Sequence, residues 1–539
     1  MEHSIFTSPS TERVLLTKKP KIEKIGYMAK NEVFSFQLVY TYPKATKDIT
    51  LSIDSDIKNY ITVRRVDYVP ATTPSLGGDD YVISKEPFLC PDVLRPLSRS
   101  GVVARCGVYN TLWLTVKGNL PVGCHKIKLS LSDQWNPTLS CEYTLNVLDF
   151  ELVEADFTYT NWFHYDSIAS YYRLETFSKK YNKIMYNYIK CATEHGMNML
   201  LVPMFTPPLD TRVGYYRRTA QLIDVYLNDG EYSFDFDRLI EFMKSVQALG
   251  IKYFEMSHLF TQWGAKATPK IMAKVNGRQK RIFGWDVSAN DPRYEHFLSR
   301  LLPELEKRLT DEGLFEHCRF HISDEPNEHC VDSYKQAKQI FKKYMKNGII
   351  TDALSHYDFY KDGLVDMAIC STDAIKPFLE NKVPNLWTYY CCAQGSDYLS
   401  NRFMQFSGER IRVIGPQLYL NDIKGFLQWG YNFYNTVLSD EEIDPYLITD
   451  GGSGFQSGDA FSVYPGKDGP YSSIRLESFY EGLLDMRLLL TLEGKVGKEK
   501  TKALLLENGF DYGFYTYPRS DKRLKEIRRM AQKMILKNS

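Results

Sequence analysis

Apolar positions fall into two rhythms along this chain. Up to about residue 150 they form short β-branched or aromatic runs that partly alternate with polar residues. Examples are VFSFQLVY (Val33 to Tyr40), TLWLTV (Thr111 to Val116), HKIKLSLS (His125 to Ser132) and EYTLNVLDF (Glu142 to Phe150). Turn-rich stretches such as KGNLPVG separate them, and no amphipathic helical repeat intervenes. The pattern predicts an N-terminal antiparallel β-sandwich over residues 1–150.

After Phe150, apolar runs alternate with helical periodicity. Eight candidate strands begin at Phe157, Asn198, Lys252, Arg319, Gly348, Asp366, Asn385 and Gly425. Between them, FDRLIEFMKSVQALG sets Leu239, Phe242, Met243 and Val246 on one stripe, with Gly250 as its stop. CVDSYKQAKQIFKKYM repeats that spacing through Tyr334, Ala337, Ile340, Phe341 and Tyr344. The alternation predicts a (β/α)8 TIM barrel over residues 151–495. An open α/β sheet is the alternative, although no glycine-rich nucleotide loop follows the first strand. Residues 496–539 read as C-terminal helices packed on the barrel, ending in the basic amphipathic EIRRMAQKMILKNS.

Composition narrows the function classes. A chain of 539 residues exceeds one ordinary core, which agrees with more than one domain. Its net charge of +1, with no long single-sign block, gives no basis for a nucleic-acid or membrane-surface partner. No apolar run is long enough to span a bilayer. The start, MEHSIFTSPSTERVLL, lacks the features of a signal peptide, so the expected location is cytoplasmic unless an export signal was removed. The ten cysteines lack zinc-site spacing, and adjacent Cys391 and Cys392 read as buried thiols. No metal or other cofactor is expected. The 38 tyrosines exceed what a core needs and would suit a sugar site, where flat rings pack on pyranose faces.

The chemistry concentrates in FHISDEPNEH, Phe320 to His329. The fourth candidate strand stops at adjacent Asp324 and Glu325, and Pro326 opens a helix-like segment. In a barrel, the C-terminal ends of the strands carry the site. Two carboxyls this close do not both ionise freely, so the pair should hold one proton near neutral pH. Glycosidic hydrolysis needs that division between an acid and an anion. Neighbours in sequence are badly placed to flank a bond from opposite sides. They suit a reaction in which the 2-acetamido oxygen of the sugar attacks the anomeric carbon.

FHISDEP resembles the catalytic motif of glycoside hydrolase family 123, the β-N-acetylgalactosaminidases. GIKYFEMSHLF, NLWTYYCC and GFLQWGYNFYN are similar to that family's barrel strands, and FSFQLVY and LWLTVKGNLPVGCHKIKLSLS to its sandwich. GDAFSVYPGKDGPYSSIRLESFYEGLLDMRLL, Gly458 to Leu489, is similar to the domain of unknown function that recurs in these proteins. The resemblance covers nearly the whole chain. It implies a sandwich-plus-barrel fold and removal of terminal β-linked N-acetylgalactosamine by acetamide-assisted, retaining catalysis. Asp324 would orient the acetamide, and Glu325 would be the general acid/base. The partner is then a glycan or oligosaccharide, and the oligomeric state stays open.

Other residues compete for roles. Trp387, Tyr389 and Tyr390 end the seventh candidate strand, and Trp429, Tyr431 and Asn432 the eighth, as candidate sugar-binding groups. His164, beside Trp162 and Tyr165, and His258 are candidates for sugar hydroxyls. Glu255 or Asp352 would be the nucleophile if a protein carboxylate were used. His321, Asp324, Glu325 and His329 match no established zinc spacing. Arg475 and Glu477 read as an ion-pair brace. The alternatives are the same fold acting on N-acetylglucosamine or a sugar without an acetamide, a silent carbohydrate-binding relative, and an interaction scaffold.

Overall fold

The structure, a computed structural model, describes residues 2–73, 79–97, 101–326 and 328–538. Its first part is a sandwich of two five-stranded sheets. Alternation sorts the side chains as expected: in Gly123–Ser132, His125, Ile127, Leu129 and Leu131 are buried while the residues between them are not. Strand pairing is antiparallel except between Ile25–Ala29 and Leu139–Leu148, which run parallel. The sandwich core gathers Phe36, Leu38, Tyr143 and Ile127, with Phe36 stacked on Tyr143 at 4.1 Å.

The barrel uses all eight candidate strands. In chain order they are β1 (Thr158–Asn161), β2 (Met199–Val202), β3 (Tyr253–Met256) and β4 (Cys318–Phe320), then β5 (Thr351–Leu354), β6 (Met367–Ser371), β7 (Trp387–Tyr389) and β8 (Gly425–Gln428). Each pairs in parallel with its neighbours, β8 joins β1, and the bridge between Phe320 and Ile350 closes β4 to β5. The helix Asp237–Gln247 buries Leu239, Phe242, Met243 and Val246, and Gly250 beyond it takes a φ of 107° that suits glycine. Two hairpins not expected from the sequence interrupt the barrel. Asp224–Asn228 with Glu231–Asp235 follows β2, Ile271–Val275 with Arg278–Phe283 follows β3, and the two share a four-stranded sheet.

The helix Ile474–Val496 after β8 joins the two parts. Ile474 inserts among Val66, Leu94 and Trp113 of the sandwich. Next to it, fully buried Arg475 donates to Asp92 Oδ2 at 3.0 Å, and Asp92 also receives Arg13 at 3.4 Å and the Tyr464 hydroxyl at 2.7 Å. Glu477 receives Arg64 at 2.7 Å and His195 at 3.1 Å, so both late-tract residues are braces. The last helix, Asp521–Lys537, reaches the sandwich as well as the barrel: Thr11 donates to Asp521 at 2.6 Å, and Arg528 pairs with both Glu32 and Asp485. Among the described residues, no helix is long and apolar enough to cross a membrane.

Candidate active site

The turn after β4 is fixed from three sides. The Ser323 hydroxyl donates to the Thr261 carbonyl at 2.8 Å, the Trp263 amide donates to the Asp324 carbonyl at 3.0 Å, and Asp352 accepts the amides of Ile322 and Ser323 at 3.2 and 3.4 Å. Glu325 is held at φ 42°, a left-handed conformation that costs a non-glycine residue about 1–2 kcal/mol. Asp324 and Glu325 thereby enter a pocket of about 140 Å³ at the mouth of the barrel.

Aromatic rings wall that pocket: Trp162 from the end of β1, Tyr389 from β7, Trp429 after β8, and Phe455. Leu427 and Ala353 add apolar surface, and Cys391 and Cys392 contribute half-buried thiols. Loops after β2 and β3 supply Asp210, Gln262 and Trp263. Trp429 is anchored by its indole N–H on Asp459 at 3.0 Å. The Tyr389 hydroxyl donates to Glu325 Oε1 at 2.9 Å. Among the described lining residues there are three carboxyls and no Lys, Arg or His.

Electrostatics follow from this enclosure. Burial, then the charge of Glu325, pushes Asp324 well above the usual carboxylate range, and His321 pulls against that rise. Burial also raises Glu325, while the Tyr389 hydrogen bond lowers it. The pair therefore keeps a proton beyond the range of an ordinary carboxylate, and Tyr389 favours placing the charge on Glu325. Asp210 is pushed up to about 6, chiefly by burial.

Beneath the pocket lies a sealed polar layer. His321 Nδ1 donates to Asp352 at 2.9 Å, and its Nε2 faces Glu255 at 3.9 Å. Despite burial, these carboxylates push the His321 imidazole up to about 10. Glu255 and Asp352 are both fully buried and reach no pocket wall, so neither is placed as a nucleophile. His258, His321 and Asp352 offer donor atoms within 4.8 Å of one another, as a metal would need. The two rings, however, stack at 4.5 Å with planes 18° apart, so their in-plane lone pairs do not converge, and Asp352 already accepts four donors. The stacking and the four donors already on Asp352 leave no convergent ligand set, and both His258 ring nitrogens and His321 Nε2 are buried without a hydrogen-bond partner among the described residues. His329 is exposed and not gathered with His321.

Four of the ten site residues expected from sequence meet in the pocket: Asp324, Glu325, Tyr389 and Trp429. The other six do not line it, for definite reasons. Trp387, two residues before Tyr389, points inward one layer lower, where a Cβ on Gly425 would lie 2.2 Å from its ring. Tyr390 faces the other side of β7 and packs on Phe426 at 4.8 Å. Tyr431 donates to the Tyr188 carbonyl at 2.9 Å, away from the mouth. Asn432 is spent on both backbone groups of His164, at 2.9 and 3.0 Å. His164 accepts from Arg217 at its Nδ1 and so donates from Nε2 to the Trp429 carbonyl at 2.9 Å. Burial and Arg217 push His164 down to about 3, which keeps it neutral, and it positions Trp429 from behind. His258 lies under Trp162, stacked on His321.

Sequence reasoning missed Asp210, Gln262, Trp263 and Phe455, and left Trp162 without a role. Their only signal was a place in loops at the C-terminal ends of barrel strands.

The family model described as the glycoside hydrolase 123 catalytic domain matches residues 162–492. A family 123 glycoside hydrolase from Clostridium perfringens, studied for glycolipid glycan hydrolysis, superposes with a TM-score of 0.73 at 15% identity, covering 100% of this chain and 98% of that one. That likeness shows the same fold. A family 5 xyloglucanase from Bacteroides ovatus reaches only 0.30 at 9% identity, over 85% of this chain and 98% of that one. A β-D-glucuronidase from Dictyoglomus thermophilum reaches 0.33 at 9%, over 87% and 72%. No curated protein matches. The chain belongs to glycoside hydrolase family 123.

Proposed function

We propose that this protein removes terminal β-linked N-acetylgalactosamine, with the 2-acetamido oxygen of the sugar as nucleophile. The observation that carries the reading is the pair itself: Asp324 and Glu325 sit on one turn and enter one pocket from the same side. A protein nucleophile and its acid would instead stand about 5–5.5 Å apart across the bond. In this reading the substrate decides where the shared proton rests. The acetamide N–H donates to Asp324 and stabilises its anion, so the proton moves to Glu325, which gives it to the leaving oxygen. Glu325 then takes a proton from the water that opens the oxazolinium-like intermediate.

The pocket's walls support the substrate class. Half-buried Trp429, with the buried edges of Trp162 and Tyr389, gives the pocket an aromatic wall for a pyranose, and three carboxyls without a cation among the described lining residues suit a neutral sugar, not a uronic acid. Glycolipid glycans, the class named for the Clostridium perfringens enzyme, are the substrate class this reading carries to the present chain.

One observation favours a second reading. Asp210 lines the same pocket and would serve as nucleophile toward a sugar without an acetamide. Hydrolysis of paired aryl β-glycosides separates the two. Preference for the N-acetylgalactosaminide over the N-acetylglucosaminide and the plain galactoside, lost in Asp324→Asn, supports the first. Preference for the plain galactoside, lost in Asp210→Asn, establishes the second.

A further inference from the structure

We propose that Asp352 is a positioning residue that fixes the turn presenting Asp324 and Glu325 to the sugar. This rests on the reading of the site given above. Asp352 stands on β5, fully buried, one strand over from that turn. Its Oδ2 accepts the amides of Ile322 and Ser323 at 3.2 and 3.4 Å and the Tyr334 hydroxyl at 2.5 Å. Its Oδ1 accepts His321 Nδ1 at 2.9 Å. One carboxylate thus ties three consecutive residues, His321 to Ser323, immediately ahead of the pair.

A carboxylate is needed, because all four partners are donors and only an ionised acid offers acceptors alone. Asparagine would turn an amide N–H toward them. A core need is met by apolar residues of similar volume at less cost than by a buried charge. Here the charge acts directionally, since it aims two backbone amides that no strand neighbour takes among the described residues, and with them the next two side chains. His321, held between Asp352 and Glu255, supplies the balancing positive charge.

The test uses the full-length chain, Asp352→Asn, Asp352→Glu and the milder Tyr334→Phe, with N-acetylgalactosaminides of graded leaving groups. If Asp352 aims the general acid, the loss in Asp352→Asn depends on the leaving group. We expect kcat to fall about 10²-fold on a phenyl glycoside but less than about tenfold on the 2,4-dinitrophenyl one, which needs little proton donation. KM should stay nearly constant, Asp352→Glu should recover part of the loss, and Tyr334→Phe should show the same ordering more weakly. Equal losses across leaving groups, a change in KM alone, or wild-type kinetics in a folded variant would overturn the proposal. Should Asp352→Asn not fold, Tyr334→Phe decides by the same criteria. If the wild type hydrolyses none of these glycosides, the reading of the substrate has failed separately. Crystal structures of the wild type and the folded variants then decide: a displaced Asp324–Glu325 turn supports the proposal, and a superposing one ends it.

Discussion

Tyr389, on the seventh barrel strand, donates its hydroxyl to Glu325, which follows the fourth, over 2.9 Å. The contact crosses the mouth and sets which carboxyl of the pair carries charge before substrate arrives. Tyr389→Phe takes away the hydrogen bond that lowers Glu325, so its proton is held more tightly. A hydrogen bond to a charged group of this kind contributes about 1.5–3 kcal/mol. The variant should lose about tenfold or more in kcat, and the basic limb of its pH profile should move upward. A profile identical to wild type would show that the hydroxyl does not govern Glu325.

The pH dependence of the wild type has a definite sign. Glu325 is raised from 4.5 and Asp324 from 3.8, mainly by burial. A raised carboxyl keeps its proton to higher pH, so the acid form of the pair persists through the range where free carboxylic acids ionise. Activity should fall as pH climbs through the raised value, and fall again in acid as the second proton binds. A plot of kcat/KM against pH checks this: a basic limb at or below 4.5 would contradict the burial argument.

Exchanging the two carboxyls separately distinguishes their roles. Glu325→Gln should cost about 10²- to 10⁴-fold on substrates with poor leaving groups and much less on activated ones. Asp324→Asn should lower rates on all of them and reduce the preference for an acetamido sugar. Reversal of these two patterns would exchange the assigned roles.

A stability prediction follows from the close approach of the helices Ile414–Leu420 and Ile474–Val496. A Cβ on Gly415 would lie 1.7 Å from the Gly482 carbonyl oxygen, a backbone atom that cannot swing aside. Alanine is favoured over glycine within a helix by about 1 kcal/mol. Overpacking typically costs about 1–3 kcal/mol and sometimes more, and a contact this short belongs at the upper end. Gly415→Ala should therefore melt about 2 °C lower. An unchanged or raised melting temperature would mean that the helices can separate freely.

How much of this was legible in the sequence differs between strands and site. Buried parallel strands such as Met199–Val202 read as apolar runs because both faces are covered, while Thr351–Leu354 was found from the apolar residues flanking its Thr351 and Asp352. The hairpin Asp224–Asp235 carried its own turn signal in Asn228-Asp229-Gly230, but it was hidden between two strong barrel strands. The carboxylate pair was legible because its chemistry is local. The aromatic residues were not: Trp387, Tyr389 and Tyr390 lie within four positions and end in a lower layer, the pocket and the outer face. That sorting depends on strand register and barrel tilt, which no local pattern encodes. Asp210, Gln262 and Trp263 reach the site through loops fixed by long-range bonds, Asp210 to Leu438 and Ser439 and Trp263 to Asp324, which no local pattern shows.

The bond between Arg475 and Asp92 has a consequence for inheritance. Each residue lies in a different architectural part and is fully buried; Asp92 balances Arg475 and is shared with Arg13 of the N-terminal segment. Removing one partner of such a pair typically costs about 3–5 kcal/mol, a large share of what holds any domain together. The barrel is therefore no portable cassette to be cut free of its sandwich or shuffled onto another. A change at Asp92, remote in sequence from the chemistry, is felt in the helix that follows the last barrel strand, and the two parts must drift through evolution in step.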